Sequence, residues 1–262
     1  MVEAALNIIG NNLEYVALSC HRISPARYIL VDSAGCFKEV SRERFEYNSK
    51  YAAWDYYSQV ISINKVIASK LITSNNYLSF FIRDFSKLKI EDIEKYYSKF
   101  NIPEDRMWIP EWIAQNVFNF GNGKKADMVK VFFQGTLEEY RNAGMDYLYN
   151  KSITSDKRYY QDPNAGAPLG IGLNAKKPYI QSRNRQTFGV DRDQGIRYKM
   201  FYDILKSLCK RGYPMLYVRD NGELVPMDPR DKESQFVPQS MLFVSKINQR
   251  GELEIIHMDT VP

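Results

Sequence analysis

The sequence predicts an α+β fold that mixes helices with antiparallel hairpins. Several segments repeat apolar residues every three or four positions, which is typical of amphipathic helices. Other segments are short and apolar and come in pairs across turns that contain Gly or Asn, which indicates β-hairpins. A long irregular basic loop region around residues 151–195 shows neither period, and Gly and Pro concentrate there. Because helices and strands do not alternate regularly, βαβ units are not expected.

Local patterns define the elements of the first 100 residues. Apolar residues at helical spacing from Val2 to Val16 predict an amphipathic helix. The runs Tyr28–Asp32 and Cys36–Val40 flank Ser33-Ala34-Gly35 and predict a hairpin. Aromatic residues fill 50–63, which suits either a helix or a buried extended segment. The remaining expected elements are a loose strand at 61–73, a strand at 77–82 and a helix at 87–100.

Turn and capping signals divide the rest of the chain. Pro103 fits the first turn of a helix that carries Trp108 and Trp112, and Pro110 predicts a break within it. Thr136 and Glu139 form a capping-box signature for a helix that reaches about Tyr149. The other expected elements are a strand at 128–133, a helix from 196 stopped by Gly212, a hairpin at 213–225 with a type I′ turn at Asn221-Gly222, and a hairpin at 241–257.

Composition limits the class of protein. The chain has 262 residues, 44% of them apolar, which is enough for one large or two small domains. No apolar run reaches 18 residues, so no membrane span is expected. The start carries Glu3 and Glu14 without a basic region, unlike a secretory signal. Three cysteines (Cys20, Cys36, Cys209) fit buried thiols in a reducing compartment, so a cytoplasmic protein is expected.

Catalytic equipment is sparse in the sequence. Only two histidines, His21 and His257, are present, although histidine is the commonest metal ligand and proton shuttle. The glycines Gly166, Gly170 and Gly172 lack the strand–turn–helix context of a dinucleotide site, and no Gly-Lys-Ser/Thr is present. The sequence therefore predicts no catalytic residue, no metal site and no cofactor.

The net charge of +5 conceals one basic region. Residues 151–220 contain 14 Lys and Arg against 6 Asp and Glu, and the rest of the chain contains 22 against 25. The basic region is therefore +8 and the remainder is −3. No acid occurs in the 28 residues from Pro163 to Val190. An acid-free stretch of this length favours a nucleic-acid contact, although a solvated loop is the simpler alternative.

Cations, amides and aromatic rings alternate within the acid-free stretch. Cations bind phosphates, amides hydrogen-bond to base edges, and rings stack on bases. Tyr179 and Phe188 supply rings there. The candidate DNA-binding residues of the stretch are Asn174, Lys176, Lys177, Arg183, Arg185 and Gln186.

A second candidate is the Thr73-Ser74-Asn75-Asn76 segment. Asparagines between apolar runs are typical of a simple turn. A turn can also project its side chains outward, and asparagine pairs with adenine through two hydrogen bonds. Asn75 and Asn76 are therefore candidate base readers.

Two other classes of function remain open at this point. Carboxylates near the C-terminus could serve a metal-dependent nuclease, although the solvated face of an edge strand explains them more simply. A protein–protein adaptor could use the basic loop to bind an acidic partner. The carboxylates concerned are Asp228, Asp231, Glu233, Glu252 and Glu254.

Several motifs, taken in order, resemble a known family. They are Asp55-Tyr-Tyr-Ser58 followed by Gln-Val-Ile-Ser62 and Ile-Asn64-Lys65, then Ile72-Thr-Ser-Asn-Asn-Tyr-Leu-Ser-Phe-Phe-Ile82, and then Gly172-Leu-Asn-Ala-Lys-Lys-Pro-Tyr179 with Arg183 and Arg185. Together with the first helix and the helix around Tyr96-Tyr97, this order resembles the N-terminal region of the large subunit of the type I-B CRISPR Cascade complex. The resemblance covers roughly residues 1–210.

The resemblance implies a non-catalytic role in antiviral defence. Large subunits of this family are expected to sit beside the 5′ handle of a guide RNA and to read the motif that flanks target double-stranded DNA (the PAM). They then assist duplex opening and recruit a helicase-nuclease. The implied partners are therefore guide RNA, target DNA, the backbone and handle-binding Cascade subunits and the helicase-nuclease. In such complexes base pairing reads the target, while protein reads the flank and the backbone.

Length separates this chain from the family. Its members are usually longer and end in a helical bundle, which these 262 residues do not include. The expectation is one α+β domain over 1–262, with a possible subdivision into 1–150 and 151–262, that represents a portion of a large subunit or one part of a split subunit.

Overall fold

Two four-stranded sheets, one in each of two units, organise the chain. A computed structural model describes residues 1–59, 71–121, 128–152, 192–230, 236–249 and 253–262. The inserted unit comprises residues 23–151, and the split unit comprises residues 1–22 and 152–262. Helices and mainly antiparallel strands build both units, so the predicted α+β class is confirmed.

The sheet of the inserted unit contains one parallel pair. Its strands are β1 (Arg27–Val31), β2 (Phe37–Val40), β3 (Ser79–Ile82) and β4 (Val129–Phe133). Their order is β2-β1-β4-β3, with β1 and β4 parallel and the two outer pairs antiparallel. Parallel neighbours need a crossover connection, and here it spans almost 100 residues. Local sequence patterns predicted the β1–β2 hairpin correctly but could not reveal this distant pairing.

Five α-helices lie in the described residues of this part of the chain. They are α3 (Arg42–Glu46), α4 (Ser49–Tyr57), α5 (Ile90–Tyr97), α6 (Trp108–Asn116) and α7 (Leu137–Ser152). The ambiguous stretch from residue 50 is thus helical as far as Tyr57. Residues 60–70, which include most of the strand expected at 61–73, lie outside the described residues; Ile72 forms an isolated bridge with Ile82.

Aromatic side chains fill the core of the inserted unit. All five residues of β4 are buried. Tyr28 stacks on Phe45 with ring centroids 4.2 Å apart, and Phe45 lies 4.9 Å from Phe132. Trp54 of α4 stacks on Tyr140 of α7 at 4.8 Å. Large rings bury much apolar area for each residue that is ordered, so the tyrosine-rich composition supplies this core.

The split unit packs helices against an antiparallel sheet. Its strands are β5 (Met215–Arg219), β6 (Leu224–Met227), β7 (Ser240–Ile247) and β8 (Leu253–Val261), in the order β6-β5-β7-β8. Its helices are α1 (Val2–Ile9), α2 (Leu13–Cys20) and α8 (Arg192–Lys210). Helix α8 contacts both α1 and α2, and Phe201 of α8 meets Phe243 of β7 with ring centroids 5.0 Å apart.

Three local predictions are wrong. The first helix is interrupted at Gly10, whose φ of +60° departs from helical geometry. Pro110 does not break α6, because it is the third residue of the helix, where a backbone N–H has no helical partner to lose. The turn at Asn221-Gly222 is not type I′, because only Gly222 has a positive φ. Arg219 and Glu223 close a three-residue loop of the kind that ends in a left-handed glycine.

Both ends of the expected irregular region are helical. Helix α7 includes residues 151 and 152, and α8 begins at Arg192 rather than near residue 196. Residues 153–191, which make up the remainder of the expected loop, lie outside the described residues.

Candidate nucleic-acid interface

The predicted interface residues divide into two sets. Asn75 and Asn76 lie within the described part of the inserted unit. The six residues of the acid-free stretch (Asn174, Lys176, Lys177, Arg183, Arg185 and Gln186) lie outside the described residues. Only the first set can therefore be placed in the fold.

The prediction that Asn75 and Asn76 project outward is wrong. Asn75 is 4% exposed and Asn76 is fully buried. The segment precedes β3, and every residue from Ile72 to Ile82 is buried. A buried amide cannot reach a base edge, so neither residue is a base reader in this conformation.

Asn76 instead connects three parts of the inserted unit. Its Nδ2 donates to the carbonyl oxygens of Tyr57 at 3.2 Å and Tyr140 at 2.8 Å. Its Oδ1 accepts a hydrogen bond from the backbone N–H of Leu78 at 3.0 Å. The amide thereby links the C-terminal end of α4 and the residue before β3 to the first turn of α7. Buried polar groups are costly unless they are hydrogen-bonded, and here both ends of the amide are.

Tyr96 of α5 completes this buried polar node. Its hydroxyl lies 2.8 Å from the carbonyl oxygen of Asn76 and 2.9 Å from that of Ser79. The hydroxyl is also 2.8 Å from Oγ of Ser74, which accepts a hydrogen bond from the N–H of Phe81. The node thus holds the segment before β3 in one conformation.

A buried ion pair lies in the same unit. Nζ of Lys130 is 2.5 Å from Oδ1 of Asp55, and both side chains are fully buried. Nε2 of Gln59 donates to the other carboxylate oxygen at 2.8 Å, and the ring centroid of Phe81 is 4.7 Å from the ammonium. Burial, followed by the charge of Asp55, raises the pKa of Tyr28 far above its usual range.

Sequence reasoning missed this ion pair, although a signal was present. Lys130 is the only charged residue in the apolar run from Met128 to Phe133, and Asp55 lies among aromatic residues. Charged residues in such positions are almost never buried unless they are paired. Asp55, Ser74 and Asn76 belong to the first two motifs on which the family resemblance rests. Where these motifs are described, their side chains therefore form part of the core of the inserted unit.

The carboxylates considered for a nuclease are engaged with cations where they are described. Asp228 lies 2.7 Å from Arg230, whose hydrogen bonds lower the pKa of Asp228 to about 2. Glu254 accepts a hydrogen bond from Asn248 and lies 3.2 Å from Lys246, and these two contacts lower its pKa. Asp231, Glu233 and Glu252 lie outside the described residues. Within the described ranges, no three His, Cys, Asp or Glu side chains are grouped to hold a metal ion.

The cysteines differ from one another in exposure. Cys20 is buried and Cys209 is half-buried, but Cys36 is exposed, so the prediction of three buried thiols is wrong for Cys36. Cys36 falls in the turn between β1 and β2, where the chain is at the surface. Among the helices in the described part of the chain, none has both the length and the apolar character that a membrane crossing requires.

A pocket opens beside the edge of the sheet in the inserted unit. Its volume is about 410 Å³. Its lining comes from the ends of β1 and β4, the start of β2 and the first turns of α4, and comprises Leu30, Val31, Asp32, Cys36, Phe37, Lys38, Asn48, Lys50, Tyr51, Trp54 and Gln134. Two lysines, two amides and aromatic rings therefore share one cavity.

Comparisons of the chain with protein-family models, with curated proteins and with solved structures found no match.

Proposed function

We propose that this chain is a non-catalytic, cytoplasmic nucleic-acid-binding subunit of a type I-B-like RNA-guided surveillance complex. It contacts DNA next to the target and assists duplex opening in antiviral defence. The observation that carries the proposal is the charge distribution: 28 consecutive residues without an acid lie within a region of net +8. Phosphate contacts by Lys and Arg supply most of the affinity of proteins for nucleic acid.

The basic residues have distinct roles in this proposal. Lys176, Lys177, Arg183 and Arg185 bind backbone phosphates, because ammonium and guanidinium groups pair with phosphate oxygens regardless of sequence. Asn174 and Gln186 are the amides available for base edges in the same stretch. The partners are guide RNA, target double-stranded DNA, the other complex subunits and a recruited helicase-nuclease.

Asn75 and Asn76 have a structural role in the inserted unit, where the buried node fixes the segment before β3 against α4, α5 and α7. Base reading is therefore assigned to the acid-free stretch and is withdrawn from Asn75 and Asn76.

The subunit role is tested by the RNA that accompanies the protein. The full chain, tagged and recovered from the cells that encode it, is expected to retain RNAs of uniform length that carry a common repeat-derived 5′ sequence. Sequencing of the retained RNA measures this. Recovery of protein partners that persist after nuclease treatment, with no RNA of uniform length, would contradict the proposal and favour the adaptor alternative.

A further inference from the structure

The pocket of the inserted unit lies at the point where two parallel strands end. β1 ends at Val31 and β4 at Phe133, and the N–H of Gln134 donates to the carbonyl of Val31 at 2.7 Å. Because β1 and β4 are parallel, their carboxyl ends share one edge of the sheet. In open sheets with parallel strands, ligands commonly bind just beyond such carboxyl ends. The volume of about 410 Å³ lies within the range of small-molecule sites.

Two cations belong to the lining of this pocket. Lys38 is exposed and forms no ion pair among the residues that the structure describes. Lys50 is also exposed, and its Nζ lies 5.0 Å from the ring centroid of Trp54. Asp32 is the only acid among the described lining residues, and its Oδ1 already accepts hydrogen bonds from the N–H groups of Ala34 and Cys36. The described lining therefore carries a net positive charge and suits an anion.

Aromatic rings form the helix side of the same cavity. Tyr51 is half-buried and stacks on Phe45 with centroids 5.1 Å apart. Trp54 is only 3% exposed and is stacked on Tyr140, so it supports the ring of Tyr51, whose centroid is 5.2 Å away. Because side chains alternate along a strand, Lys38 shares the sheet face of its cross-strand neighbour Leu30. The cavity thus places the partly exposed ring of Tyr51 and two ammonium groups around one space.

We infer that this pocket binds a single nucleotide unit, with its base against Tyr51 and its phosphate between Lys38 and Lys50. Rings that stack on bases and lysines that pair with phosphates are the combination that single-stranded nucleic acids require. The amide of Gln134 is placed to hydrogen-bond to a base edge or a sugar. A free nucleotide and an unpaired nucleotide in a strand share this chemistry. Binding of an unpaired nucleotide in a strand rests on the proposed function.

Calorimetric titration of the full chain with adenosine 5′-monophosphate and with the pentanucleotide (dA)5 tests the inference. The pentanucleotide is measured in the Lys176→Ala/Lys177→Ala background, so that those two lysines do not contribute. Adding Lys38→Ala and Lys50→Ala is expected to weaken binding by about tenfold or more, because two charge-assisted phosphate contacts are lost. Adenosine, which lacks the phosphate, is expected to bind both forms equally weakly.

A matched control removes two other lysines from the same unit. Lys95 and Lys99 are exposed on and after α5, and Lys95→Ala/Lys99→Ala is expected to leave both affinities unchanged. Thermal unfolding checks that each variant folds; if the double pocket variant does not, Lys38→Ala alone, on an exposed strand, is expected to show a smaller loss of the same kind.

The outcomes distinguish a free nucleotide from a nucleotide in a strand, and they distinguish the pocket inference from the proposed function. Equal binding of the monophosphate and the pentanucleotide supports a free nucleotide, and preference for the pentanucleotide supports a strand. Affinities that are absent, or that do not change on loss of Lys38 and Lys50, overturn the pocket inference. That result leaves the proposed function intact if Lys176 and Lys177 still govern the binding of long DNA.

Discussion

Asn76 shows how a single side chain can have a role opposite to the one its position in the sequence suggests. Adjacent asparagines between apolar runs are typical of exposed turns. Whether such a turn is exposed depends on what packs over it, and here Tyr57, Tyr96 and Tyr140 are contributed from distant parts of the chain. The residue types alone mark residues 73–76 as a polar segment between apolar runs. They could not distinguish side chains that read bases from side chains that form buried hydrogen bonds.

Removing the Asn76 amide is expected to destabilise the protein. Asn76→Ala removes three buried hydrogen bonds, two to the carbonyls of Tyr57 and Tyr140 and one from the N–H of Leu78, each of which contributes about 1 kcal/mol. A loss of about 3 kcal/mol or more in the free energy of unfolding is expected from denaturant titration. Asn142→Ala, at an exposed position of α7, is the control and is expected to change stability by less than about 0.5 kcal/mol. Equal effects of the two substitutions would contradict the contribution of the buried node to stability.

At the scale of single elements, local sequence signals predict the start of a helix well. The predicted capping box is present: Oγ1 of Thr136 accepts from the N–H of Glu139 at 3.1 Å, and Glu139 accepts from the N–H of Thr136 at 2.6 Å. This signal lies within four residues, so no distant contact is needed to recognise it. The parallel pairing of β1 and β4 depends on residues about 100 positions apart and left no local signal.

The capping carboxylate gives α7 a pH dependence. Burial raises the pKa of Glu139, but the hydrogen bond from the Thr136 N–H and the contact with Arg106 outweigh it and lower the pKa overall. Because the pKa is lower in the folded protein than in the unfolded chain, where it is about 4.3, the stabilisation is complete above that value. It is lost as the pH falls through the folded pKa.

Substitution of Glu139 is expected to remove part of this pH dependence. Glu139→Gln should be less stable than the parent protein at pH 7, and the difference should shrink as the pH falls below about 4.3. Thermal unfolding from pH 7 to pH 3 measures this. Glu138→Gln is the control, because it removes the same charge at an exposed neighbouring position, and it is expected to cost less stability at pH 7 than Glu139→Gln. A constant difference at all pH values would contradict the assignment.

Some features of the whole chain could be predicted from the sequence, and others could not. The α+β class and the acid-free stretch follow from periodicity and charge counts, which are properties of the sequence itself. The split of one unit into residues 1–22 and 152–262 arises from packing of α8 against α1 and α2 across more than 180 residues. The pocket of the inserted unit has the same origin, because its lining joins residues 30–54 to Gln134.

The central claim is that Lys176 and Lys177 bind phosphates of nucleic acid, and the salt dependence of binding tests it most directly. Each phosphate contact contributes about 0.9 to the slope of log K against log salt for duplex DNA. Affinity for target DNA, measured with the assembled complex over a range of salt concentrations, should therefore fall for Lys176→Ala/Lys177→Ala, with a slope about two units smaller. Lys95→Ala/Lys99→Ala, which removes the same charge, should keep the parent slope. Identical slopes for all three proteins would contradict the claim.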